Sequence, residues 1–153
     1  MPLFTLDLED DYSLIGIHST EEDYRLAYLI NKHLNTKLVR NKESLDFKNS
    51  EAEFSIFNYN DELNFINFSL ISNKHIDFSS TKLIEEGLFK NNFSTIYYLI
   101  PEKKNIDYFL KIEGGDSDEF FKKLNSDLNK IEQIITSYLI EPSSLKSKNH
   151  LIF

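Results

Sequence analysis

The chain has 153 residues, no cysteine and no tryptophan, 14% aromatic residues and a formal net charge of −8. Without cysteine there are no disulfides, thiolate metal sites or cysteine nucleophiles. The acid excess argues against nucleic acid and anionic lipid as partners, because phosphate binding needs a positive footprint. The length fits one domain, 1–153, large enough for folding to bury about two-thirds of the unfolded surface. Met1-Pro2-Leu3-Phe4 leads into acids without a basic n-region, and no stretch approaches the roughly 18 apolar residues of a membrane span. A cytoplasmic location is expected.

Charge is unevenly spread. Residues 1–23 hold seven acids and no Lys or Arg, giving −7, whereas 24–50 sum to +4 and the remainder to −5. A protein partner is therefore expected to be basic, with binding weakened by salt.

In chain order, 12–18 reads as a strand. Ser19 and Thr20 offer an N-cap with Glu22 or Asp23 three residues on, and Leu26, Ala27, Leu29, Ile30 and Leu34 form a helical stripe. An extended piece, 37–41, follows. The runs 51–59 and 63–72, broken by Asn60-Asp61-Glu62, read as a β-hairpin. Residues 76–92 are mixed, with a short helix around 81–87. The strand 93–100 should stop at Pro101, which cannot donate to a ladder. In 106–113, Ile106, Tyr108, Leu110 and Ile112 share one face, with Asp107, Lys111 and Glu113 mainly on the other. Gly114-Gly115 ends that strand. Asp116-x-x-Glu119 caps a second helix with the stripe Phe120, Phe121, Leu124, Leu128 and Ile131. Residues 133–140 form a last strand before Pro142, and 143–153 is a tail.

This order predicts an α+β fold: a mainly antiparallel sheet with two helices packed on one face, loosely ferredoxin-like or ACT-like. Strands 93–100 and 133–140 carry bulky apolar residues on both faces, so the second sheet face also needs cover. Leu151, Ile152 and Phe153 are the expected cover, which favours a monomer over a homodimer.

Candidate chemistry is sparse. The glycines Gly16, Gly87, Gly114 and Gly115 match no nucleotide fingerprint. Asp7-x-Glu9-Asp10-Asp11 lacks calcium-loop spacing and reads as a solvated acidic loop. His18, His33, His75 and His150 are scattered, without metal-ligand spacing. His18, at a strand end, is positioned for a general base but lacks a nucleophile partner, which favours a structural histidine. Glu102 and Asp107 flank a loop and are expected close together and exposed; paired carboxylates do acid–base work only when burial splits their pKa values. No catalytic residue, metal site or cofactor is assigned.

The segment Ile100-Pro101-Glu102-Lys103-Lys104-Asn105-Ile106-Asp107-Tyr108 resembles the signature of the IPExxxVDY family of uncharacterised bacterial proteins, departing only at Ile106, where the signature has Val. The likeness extends to Gly16-Ile17-His18, the helix Asp23–Leu29 and the closing residues from Leu145. It implies no catalytic residues, since that family has no assigned activity. It leaves Ile100, Pro101, Glu102, Ile106, Asp107 and Tyr108 as candidate interaction residues. The expected function is a non-catalytic protein-interaction or regulatory module. The alternative is a small-ligand-binding domain or an enzyme with an unfamiliar site around His18 and the Glu102/Asp107 loop.

Overall fold

The computed structural model describes residues 12–46, 52–77, 95–115 and 117–153. The acidic run 7–11 and the expected helix around 81–87 lie outside them.

Strand β1 (Ser13–His18) sits inside a six-stranded sheet and is followed by α1 (Asp23–Leu34) and the short β2 (Val39–Arg40). Next come β3 (Leu45–Asp46), β4 (Glu53–Phe54), β5 (Ile56–Asp61), β6 (Ile66–Ser72), β7 (Lys74–Asp77) and β8 (Thr95–Tyr98). The chain closes with β9 (Tyr108–Glu113), α2 (Asp118–Asn129) and β10 (Thr136–Ile140). The main sheet runs β10-β1-β9-β6-β5-β2 with every pairing antiparallel. It follows that β9-α2-β10 is a crossover between parallel strands with β1 threaded between them. The α+β class is as expected, and the ferredoxin likeness is no more than loose.

Both helices lie on one face. Leu26, Ala27, Leu29 and Ile30 of α1 and Leu124 and Leu128 of α2 pack on Ile15, Ile17, Phe68, Leu70, Leu110 and Ile112. The apolar spacing of three and four residues puts these side chains on one stripe of each helix. The helix starts differ from expectation. Glu22, not Ser19 or Thr20, is the N-cap of α1 and makes no side-chain cap bond. The Ser19 hydroxyl instead accepts from the Glu21 N–H and donates to Gln133 O. At α2, Ser117 is the cap and accepts from the Phe120 N–H at 3.2 Å. Asn129 at the far end of α2 donates to Ser137 O and accepts from its N–H, 3.0 and 2.8 Å. That amide occupies one edge position of β10 that another strand would otherwise use.

The second face is also covered. Leu14, Phe54, Ile56, Ile71 and Phe109 of the strands meet Leu99, Ile100, Ile106, Leu145 and Leu151 there. The tail thus covers this face with Leu145 and Leu151, while Ile152 and Phe153 stay half exposed. Several strand expectations change with it. Of the described part of the predicted strand 93–100, Thr95–Tyr98 pairs with β7 in a separate ribbon, and Leu99 and Ile100 leave the strand to enter this core. Ile106 precedes β9 and joins the same core rather than the Tyr108, Leu110, Ile112 face. In the first hairpin run, β4 breaks from β5 at Ser55 and pairs with β3, and the turn is at 62–65. The last strand starts at Thr136, with Ile134 buried in the preceding turn. Lys111, expected on the face opposite Tyr108, Leu110 and Ile112, is 5% exposed there. Its ammonium donates to Leu151 O at 2.7 Å and lies 4.9 and 4.4 Å from the Tyr12 and Phe153 ring centres. A buried ammonium needs such partners, because an unpaired buried charge is costly.

Among the described residues no helix is long and apolar enough to cross a membrane.

Candidate functional site

Ile100, Glu102, Ile106, Asp107 and Tyr108 of the signature each have an internal contact. The loop from Leu99 to Asp107 is organised by Asn73, a fully buried amide between β6 and β7. Its Oδ1 accepts from the Ile100 N–H at 2.8 Å, and its Nδ2 donates to Lys103 O and Ile106 O at 2.9 and 2.8 Å. Its backbone donates to Asp107 O and accepts from the Leu99 N–H. One residue therefore serves five backbone polar groups of the loop and its flanks. Pro101 opens a 3-10 turn, Pro101–Lys103, where a missing N–H does no harm. Ile106 is buried against Gly16, where an added Cβ would lie 2.9 Å from the Ile106 Cδ1 and 2.7 Å from the Ile140 Cδ1. That close approach accounts for glycine at 16.

The two carboxylates of the loop serve different partners. Glu102 accepts from the Ser147 N–H at 2.7 Å and from its hydroxyl at 2.9 Å, tying the loop to the tail. Slight burial pushes its carboxyl up, but the Ser147 donors outweigh that and hold it below the ordinary value. Asp107 accepts from the Ser19 N–H at 2.9 Å and pairs with the Lys74 ammonium at 2.7 Å. Its side chain is 21% exposed, so the expected exposed pair of carboxylates is not formed. The Tyr108 hydroxyl donates to Glu21 O. Burial first, and then the nearby Asp23, Asp107, Glu22 and Glu21 carboxylates, push its pKa far up, so it stays a neutral donor.

The histidines do not converge. His18 Nε2 lies 2.9 Å from the Tyr138 hydroxyl, across the β1–β10 pair. His150 Nδ1 meets Leu99 O at 2.7 Å. His33 and His75 line separate cavities. Among the described residues no three His, Asp or Glu side chains are grouped to hold a metal ion.

Two open cavities lie at opposite ends of α1, about 18 Å apart for a twelve-residue helix. The first, a groove of about 750 Å³, runs between the last turn of α1, the β5–β6 hairpin end and α2. Leu34, Tyr59, Phe68, Phe120 and Leu124 supply its apolar lining, with Tyr59 and Phe68 stacked at 5.8 Å. Leu63 and Phe65 stand at its rim, 91% and 86% exposed. Phe65 adopts φ +54°, a left-handed conformation that glycine or asparagine takes far more readily. The turn is held from both sides. Asp61 accepts from the Asn64 backbone and side-chain N–H groups, and Gly114 approaches so closely that a Cβ there would lie 2.3 Å from Phe65 O. Gly114 itself has φ +93°, so glycine is required there twice over. The run 63–72, read as one strand, concealed this turn.

The second cavity, about 710 Å³, is polar and lies between the start of α1, β4 and β7. Asp107 and Tyr108 border it, but neither His18 nor Glu102 does. The proposed joint site of His18 with the Glu102/Asp107 loop is thus not assembled.

No family model, no curated protein and no solved structure matches the chain.

Proposed function

We propose that the chain is a non-catalytic cytoplasmic protein-interaction module that docks its partner at the β5–β6 turn and the adjoining groove. One observation carries this reading: two large apolar side chains, Leu63 and Phe65, stand in solvent at a groove rim, one of them in a conformation unfavourable for its residue type. Left-handed backbone at such a residue costs about 1–2 kcal/mol, and strain of this kind collects at functional positions. Large exposed apolar side chains beside a groove with aromatic lining are the usual anchors of protein contacts. The resemblance to the IPExxxVDY family agrees with a module lacking chemistry of its own, since Ile100, Glu102, Ile106, Asp107 and Tyr108 are engaged internally. The chain's net charge of −8 favours a basic partner that inserts an apolar anchor into the groove. The tail residues Leu145 and Leu151, seated on the second sheet face, favour a monomer.

The test is capture of a partner by the full chain, followed by affinity measurement with the purified partner. Leu63→Ser with Phe65→Ser should weaken binding by about tenfold or more, as loss of interface anchors does. Raising salt from low to physiological ionic strength should weaken it further. A complex indifferent to both would contradict the proposal.

A further inference from the structure

The outer side of α1 and strand β2 carries a charge opposite to that of the rest of the molecule. Residues 23–42 hold five bases, Arg25, Lys32, Lys37, Arg40 and Lys42, against the single acid Asp23, a net +4. Taking +4 from the chain's −8 leaves −12 for everything outside that span. All five bases are exposed. Arg25 and Arg40 hold Glu21 and Asp23 in half-solvated ion pairs. Lys32, Lys37 and Lys42 make no ion pair among the described residues, so their charge is uncommitted.

Large apolar side chains stand among these bases. Tyr24 and Tyr28, each 61% exposed, follow one another at a spacing of four on α1, with Lys32 four residues further on. That row lies away from the buried stripe of Leu26, Ala27, Leu29 and Ile30. The segment 38–40 extends the same surface. The Asn31 amide donates to Leu38 O at 3.1 Å and accepts from its N–H at 2.8 Å, while Arg40 reaches Asp23 at 3.6 Å. The strand is thereby held along the helix, at an edge of the six-stranded sheet, with Val39 67% exposed.

From this charge and these side chains we infer that the α1–β2 face binds an acidic protein segment. Its carboxylates pair with the free lysines, and its apolar side chains cover Tyr24, Tyr28 and Val39. Charge complementarity selects the occupant, since a local +4 on an acidic chain attracts acids to this face alone. Exposed aromatics supply the anchors that charge by itself does not. A nucleic acid strand fits less well. Its evenly spaced phosphates would run on from the face to the acids Glu21, Glu22 and Glu43 at its two ends. The inference is independent of the docking groove, which none of these side chains lines.

The experiment follows fluorescence anisotropy of a short labelled peptide of glutamate and leucine, titrated with the full chain at physiological ionic strength. The peptide should bind one to one, and its glutamine counterpart at least about tenfold more weakly. Lys32→Glu with Lys37→Glu should weaken binding by more than about tenfold, and Tyr24→Ser with Tyr28→Ser by about tenfold. Lys122→Glu with Lys146→Glu makes the same charge change at exposed lysines elsewhere and should leave the affinity within about twofold. Leu63→Ser with Phe65→Ser, which tests the groove, should leave it unchanged. Thermal melts of all four variants confirm folding. The inference fails if the peptide does not bind, or if an oligothymidylate of equal charge binds as tightly. It fails also if the Lys122/Lys146 pair weakens binding as much as the Lys32/Lys37 pair, which would mark diffuse attraction. A homodimer of the chain that Lys32→Glu with Lys37→Glu dissociates would overturn it too, by assigning the face to a second copy.

Discussion

The signature loop and the β5–β6 turn treat their side chains in opposite ways. In residues 100–108, Ile100 and Ile106 are in the core, Glu102 holds the tail, Asp107 holds β1 to β7, and Tyr108 holds the start of α1. At 62–65, Leu63 and Phe65 stand in water and the backbone is strained. The segment with the most recognisable spelling is occupied with holding the fold together. The segment with no motif presents the unexplained surface. A local sequence pattern is legible when it reports a closed set of internal contacts, and closed contacts leave little for a partner.

The comparison is sharpened most by removing the centre of the loop. Asn73→Ala removes the side-chain partner of the buried Ile100 N–H and Ile106 O, and should lower unfolding free energy by about 3 kcal/mol in denaturant melts. A loss below 1 kcal/mol would mean the loop does not depend on that amide. Asp107→Ala should cost about 1–2 kcal/mol, a figure held down because its ion pair with Lys74 is partly solvated. Glu102→Ala should cost under about 1 kcal/mol, as exposed changes usually do. Equal losses at the two positions would erase the distinction drawn between their partners.

Glu102 has a pH signature of its own. Its pKa in the folded chain lies below the ordinary carboxylate value of 4.5, so its contribution is fully present above that pH. That contribution is lost as pH falls through the lower, folded value. The Ser147 amide resonance should therefore titrate with a midpoint below 4.5. The Glu102→Gln variant should abolish that titration. A midpoint above the ordinary value would show the clasp to be absent in solution.

Much of the frame could be read from residues alone. The stripes of α1 and α2 and the runs of β1, β6 and β9 have strong periodicity, and each exists within a few residues of its expected place. Some failures follow from the way the second sheet face is covered. Alternation in 106–113 placed Lys111 opposite the Tyr108, Leu110 and Ile112 face but did not show that this side lies under the tail, where the ammonium has the Leu151 carbonyl. Leu99 and Ile100 looked like strand because they are apolar, although they enter the core from a bend. Asn73 carried no signal, since a lone asparagine between strands reads as a turn residue. Phe65 carried the wrong signal. An aromatic in an apolar run predicts a strand, and only the backbone angle reveals that it stands outside one.

The most direct test of the docking account is Phe65→Gly, with stability and partner affinity measured on the same preparation. Glycine relieves the left-handed strain and loses almost no packing, because Phe65 is 86% exposed. Unfolding free energy should rise by about 1 kcal/mol, while partner affinity falls about tenfold as an anchor is lost. Such opposite movements would mean that the turn keeps phenylalanine for binding at the expense of stability. A variant that is less stable and binds as tightly as the parent would contradict the account.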